Sequence, residues 1–288
     1  MLKRQKIILG VLLLAPRSLS KLQLTKLTFL MRQESALADD SSFYDHVPYQ
    51  QGPFSFTLYR DIADLKQMGY LDDNSLAISD NLRSDARLLF DSLPQSTRTE
   101  VGRTVERYAK LGEKPLIEYV YSEYPWFASR SRLRGAPTTG RIKGKLAVYT
   151  AGYEGESVDH FFQKLMRVGI EVLIDVRHNP VSRKYGFSKK DMQRLCQKLD
   201  IRYEHIPELG IPSSMRSTLS TYEDYKRLLN KYERSILPEA SEPRARAAHI
   251  MESIPSVLVC FEKNVHFCHR GRLAKAIAND VGLEVKHL

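Results

Sequence analysis

Between residues 145 and 288, short apolar runs alternate with longer amphipathic stretches, and this rhythm constrains the fold more than any other feature. The runs are Lys145–Thr150, Glu171–Val176, Arg202–Ile206, Val257–Phe261 and Leu283–His287. Between them lie segments with helical spacing and start signals. Ser157 precedes 158–168, and Ser188 is followed three residues later by Asp191, a capping box with Asp in the usual Glu place. Such alternation predicts a parallel sheet covered by helices, a Rossmann-like α/β domain. A longer insertion, 209–254, carries helical patterns at 222–236 and 244–251. Ligands of such sheets sit beyond the carboxyl ends of the strands. The polar residues there are Tyr153 and Glu154; Asp175, Arg177, His178 and Asn179; His205 and Glu208; Cys260 and Glu262; and Cys268, His269 and Arg270.

The segments Thr150-Ala151-Gly152-Tyr153, Leu173-Ile174-Asp175-Val176-Arg177, Tyr203 to Gly210 and Cys268-His269-Arg270 resemble the motifs of domain-of-unknown-function family 488 over roughly 145–288. The resemblance carries no chemistry with it, so roles must be read from the residues.

Asp175 and Glu208 are the candidate carboxylate pair for glycosidic cleavage, with a structural ion pair between Asp175 and Arg177 as the plain alternative. Arg177 and Arg270 could hold a phosphate bidentately, with Tyr153, Glu154 and Asn179 around it. Cys268 is a candidate thiolate, because a helix N-terminus, His269 and Arg270 all favour its ionised form. The Asp-Val-Arg strand end and the late cysteine resemble rhodanese-type sulfur transferases. Arg270, however, follows Cys268 by only two residues, too close for the loop of amides such enzymes use. Cys260, His266, Cys268 and His269 are soft donors, but their spacing matches no zinc finger or ribbon. Neither metal nor cofactor is therefore expected. Arg183, Lys184, Tyr185 and Phe187 could stack a base and contact its phosphate, or close the core under their loop.

The N-terminal part reads differently. Helical stretches at 6–14, 20–32 and 55–68, with a turn at Tyr49–Phe54 before the third, are followed by a small hairpin, 70–78, around Asp72-Asp73-Asn74-Ser75. Three helices and a hairpin describe a winged helix-turn-helix. Leu24 to Leu27, Gly52 to Ser55 and Leu65 to Leu71 resemble winged-helix domains of bacterial regulators and defence proteins. Helices continue through 82–121, and the aromatics Tyr119, Tyr121, Tyr124, Trp126 and Phe127 either pack a helix end or stack bases.

The chain carries a net charge of +10, and six of those charges lie within 130–145, which holds no acid: Arg130, Arg132, Arg134, Arg141, Lys143 and Lys145. With Gly135, Pro137, Gly140 and Gly144 among them, this reads as a flexible basic tether suited to a phosphate backbone, or as a plainly solvated linker. The organisation expected is a winged helix at 1–129, a linker at 130–145 and an α/β domain at 146–288. Nucleic-acid contacts fall to Arg130, Arg132, Arg134 and Lys143, with DNA favoured over RNA. The apolar run Ile7 to Ala15 is too short to span a bilayer. Three cysteines give no disulfide framework, so a cytoplasmic protein is expected.

Three readings of function follow. One is a hydrolase or base-excising enzyme acting on nucleotides or modified nucleic acid, as in defence against foreign DNA. Another is a DNA-binding regulator that senses a ligand without catalysis. The third is a cysteine-based transferase.

Overall fold

A computed structural model describes residues 1–133, 140–216 and 221–288. The chain divides into two compact units, Met1–Arg141 and Ile142–Leu288.

In the first unit, α1 (Lys3–Leu14) and α2 (Lys21–Glu34) supply much of the core. The hydroxyl of Ser20 accepts the Gln23 amide, and the Gln23 side chain accepts the Ser20 amide in return, so α2 starts with two of its orphan donors satisfied. The turn read at Tyr49–Phe54 is a two-stranded hairpin, β1 (Val47–Tyr49) and β2 (Gly52–Phe54), paired antiparallel with Pro48 opposite Pro53. Ser55 caps α3 (Phe56–Gln67) by accepting the Leu58 amide at 3.2 Å. The hairpin expected after α3 is one antiparallel bridge, Leu71 to Ile78, flanked by Asp72 N–H to Ala77 O and Ser79 N–H to Tyr70 O. There follow α4 (Arg83–Asp91), α5 (Gln95–Tyr108), α6 (Glu113–Glu123) and α7 (Pro125–Ala128). Within the late aromatic cluster, Phe127 and Tyr124 meet Phe29 edge-on at 4.6 and 5.1 Å, which is helix-end packing.

The second unit holds the expected parallel sheet. Its strands are β3 (Val148–Gly152), β4 (Val172–Asp175), β5 (Arg202–His205), β6 (Ser256–Cys260) and β7 (Val285–His287), in the order β5-β4-β6-β3-β7, all parallel. The inner strands β3, β4 and β6 are buried along their whole length, as expected of a sheet covered on both faces. The helices are α8 (Val158–Arg167), α9 (Lys189–Lys198), α10 (Tyr222–Lys231), α11 (Leu237–Glu239), α12 (Ser241–Ser253) and α13 (His269–Val281), with a π-turn, Tyr232–Ile236, between α10 and α11. Ser157 and Ser188 cap α8 and α9 by accepting the amides of His160 and Asp191. Gly282, at φ 69°, ends α13 in the left-handed conformation.

One feature of this topology positions the site. The chain runs outward from β3 to β4 and β5, then returns to insert β6 between β3 and β4. Cys260 thereby lies beside Gly152, while Asp175 lies between Val259 and His205. The carboxyl end of β6 is the point where the winding direction changes, the usual place for a crevice. Gly152 allows the loop after β6 to close over β3, since a Cβ there would lie 1.9 Å from the Glu262 carbonyl oxygen.

Candidate functional site

A cavity of about 430 Å³ opens at this edge of the sheet, within the size range of small-ligand sites. Strand ends β3, β4 and β6 contribute Tyr153, Arg177 and Cys260 to it. The loop after β4 adds His178, Asn179, Ser182, Arg183 and Lys184, and the insertion adds Arg216. Among the described lining residues there is no Asp or Glu; of the four cations there, Arg177 is paired with Asp175 and Arg216 with Glu262, both from outside the lining.

Arg177 is the scaffold of this cavity. Its Nε and Nη2 donate to the two oxygens of Asp175 at 2.8 and 2.6 Å, and its Nη1 donates to the Tyr153 hydroxyl at 2.6 Å and the Phe187 carbonyl at 2.8 Å. Burial opposes the charge on Arg177, but Asp175 outweighs it and raises the guanidinium pKa. Asp175 is completely buried and also accepts the Tyr203 hydroxyl at 2.7 Å and the Arg177 amide at 3.2 Å. Tyr153 stacks on Phe187, ring centroids 4.2 Å apart. Phe187 is fully buried, so of the loop aromatics it closes the core, while Arg183 and Lys184 face the cavity.

Gly210 lets the loop after β5 approach this framework, since a Cβ there would lie 2.2 Å from the His178 amide. Glu208, in the same loop, is exposed and absent from the cavity lining. The two carboxylates matched to glycosidic cleavage thus have different surroundings: one is enclosed in an ion pair, the other faces solvent.

At the end of β6 lies a second cluster. Cys260, Cys268 and His269 are each about 1% exposed, and their donor atoms lie within 4.8 Å of one another. The Cys260 thiol donates to Glu262 Oε2 at 3.2 Å and lies 3.8 Å from His269 Nδ1, while His269 Nε2 lies 3.1 Å from the Val176 carbonyl oxygen. Glu262 Oε1 accepts from Arg216 at 3.0 Å. Burial opposes ionisation of Glu262, but Cys268 and Arg216 outweigh it and hold the carboxyl at about 2. A hydrogen bond from Cys268 lowers the Cys260 pKa, whereas burial and Cys260 push Cys268 up. Of these two thiols, Cys260 belongs to the lining of the main cavity and Cys268 does not. Cys268 is the N-cap of α13 and lines a smaller cavity of about 140 Å³ with Val265, His266 and Gly271.

Arg270 is 2% exposed, and its two terminal nitrogens donate to the carbonyls of Glu262 and Lys263, the latter at 2.9 Å. It clamps the loop after β6 and is absent from the main cavity's lining. Glu154 is exposed, and its carboxylate accepts the Lys263 amide at 3.0 Å. In the basic segment, Arg130 is half-buried; Arg132 and Lys143 are exposed; Arg134 lies outside the described residues.

Of the strand-end residues singled out in the sequence, Tyr153, Arg177, His178, Asn179 and Cys260 line the cavity; Arg216 does too, although nothing in the sequence singles it out. Cys260 is legible near the end of an apolar run, two residues before Glu262. Arg216 had no comparable signal, because the insertion reaches the cavity only through the fold.

Among the described residues, no helix is long and apolar enough to cross a membrane. No curated protein and no solved structure matches the chain. Residues 157–277, from the cap of α8 into α13, match the family described as Domain of unknown function DUF488, in agreement with the motifs of the C-terminal part.

Proposed function

We propose that the α/β domain binds the phosphate of a nucleotide or nucleic-acid strand in the cleft at the carboxyl edge of its sheet. The N-terminal domain, in this reading, is a winged helix that engages DNA together with the basic segment after it. One observation carries the reading: Arg183, Lys184 and Arg216 surround a cavity of ligand size whose described lining has no acid, with Arg216 Nη1 paired to Glu262 from outside that lining. Arg177, being committed to Asp175, shapes the cleft instead of serving the ligand. A cleft of this kind favours a ligand-binding protein over a carboxylate-based glycosidase, because Asp175 has its oxygens occupied and Glu208 is turned to solvent.

The test is fluorescence anisotropy with a labelled, 5′-phosphorylated single-stranded oligonucleotide over a range of salt. Each phosphate contact contributes about 0.7 to the slope of log affinity against log salt. Arg183→Ala with Lys184→Ala should weaken binding and flatten the slope by about 1 to 2. Unchanged affinity and slope in that variant would refute the proposal.

A further inference from the structure

The cluster beneath the cleft has the makings of a metal site that the linear spacing of its residues conceals. Cys260 ends β6, whereas Cys268 and His269 open α13, and the intervening loop folds back so that two sulfurs and an imidazole converge. Tetrahedral zinc holds sulfur at about 2.3 Å and nitrogen at about 2.0–2.1 Å, so its donors stand about 3.5–3.8 Å apart. The separation of Cys260 Sγ from His269 Nδ1 is 3.8 Å. The Val176 carbonyl can only accept, so His269 Nε2 carries the proton there and Nδ1 is the nitrogen left for the sulfurs. That is how a backbone carbonyl commonly orients a zinc-ligating histidine. Glu262 Oε2 lies 3.2 Å from Cys260 Sγ but outside the group of donors that are all within 4.8 Å of one another, so it takes the fourth position by turning toward the other three. Arg216 holds the other oxygen of that carboxylate, and Arg270 pins the loop through the Glu262 and Lys263 carbonyls. Two thiols and a carboxylate buried together concentrate negative charge when ionised, and a divalent cation balances it.

We propose that Cys260, Cys268, His269 and Glu262 form a closed zinc site under the floor of the cleft. It fixes the start of α13 to the end of β6 and holds Arg216 at the cavity through Glu262. The site stands independently of the nucleotide reading, because metal binding is measured with no ligand in the cleft.

The experiment uses the full chain, purified without metal-affinity resin. Elemental analysis should find about one zinc per chain, and Cys196→Ser, whose thiol lies outside the cluster, should retain it. Metal-free wild type titrated with cobalt should develop a thiolate-to-cobalt charge-transfer band and the intense visible bands of a tetrahedral site. Cys268→Ser and His269→Ala should lose both. Arg216→Ala, which removes the ion-pair partner of Glu262 without touching a zinc donor, should weaken zinc by about 10- to 100-fold in competition with a chromophoric chelator. Should either ligand variant fail to fold, the wild-type cobalt titration and the Arg216 variant still decide the matter. The proposal is overturned if folded, reduced wild type binds neither metal. It is equally overturned if Cys260 alkylates rapidly with iodoacetamide at full occupancy while zinc is present, which would mark a free thiolate.

Discussion

Asparagine at position 175 preserves the shape of the aspartate and removes its charge, which makes Asp175→Asn the sharpest probe of the cleft's scaffold. The carboxylate accepts four hydrogen bonds, three from Arg177 and one from Tyr203. An amide nitrogen cannot accept, and Arg177 donates to both oxygens, so in either orientation of the amide the Arg177 guanidinium faces another donor. Arg177 is also left as a buried cation without its counter-charge. Removing one partner of a buried pair costs about 3–5 kcal/mol. At about 3–4 °C per kcal/mol for a domain of this size, the α/β domain should melt about 9–20 °C lower. Differential scanning calorimetry of the full chain, with the two domains' transitions resolved, measures this directly. If the variant melts within about 3 °C of wild type and yet loses oligonucleotide binding or turnover, the structural reading fails and Asp175 acts on the ligand.

Further outcomes follow from the same geometry. Glu208→Gln, an exposed change away from the cavity lining, should alter stability by no more than about 0.5 kcal/mol and leave anisotropy titrations unchanged. Replacing Arg130, Arg132 and Arg134 with alanine should flatten the salt slope of duplex binding by up to about 3 if all three meet phosphates, whereas an unchanged slope removes the basic segment from the interface. Lys26 is buried, its ammonium donates to the carbonyls of Gln51 and Pro53, and burial lowers its pKa to about 7. Between that value and the unfolded value of about 10.5 the unfolded chain binds the extra proton, so stability should rise with pH across this window. Denaturant titrations of wild type against Lys26→Met should show that rise in wild type alone; parallel curves would contradict the assignment.

The elements legible in the sequence are those with strong local causes. The runs Val172–Asp175 and Ser256–Cys260 are apolar because both faces of the sheet are covered, and Ser157 and Ser188 mark the helices that follow. Strand order was not legible, for it depends on which strands pair after the chain has doubled back. Inserting β6 between β3 and β4 turns Cys260 from one more apolar-run residue into part of the cavity wall. The same event brings Arg216 in from an insertion with no motif of its own. Being at a strand end did not determine where a side chain points: Asp175 is enclosed by Arg177, while Glu208, just after β5, faces solvent. Arg270 shows the same limit, since its charge serves two loop carbonyls and not an anion. In the N-terminal domain, prolines at 48 and 53 disguised a short hairpin as a turn, because a proline offers no amide to the ladder.

The central claim is that Arg183, Lys184 and Arg216 hold a phosphate at the carboxyl edge of the sheet. A crystal structure of the full chain with a nucleoside 5′-monophosphate tests it most directly. The account predicts the phosphate among those three side chains, within hydrogen-bonding distance of at least two, with Arg177 still paired to Asp175. A nucleotide bound only elsewhere on the chain, with the cleft holding water, would contradict it.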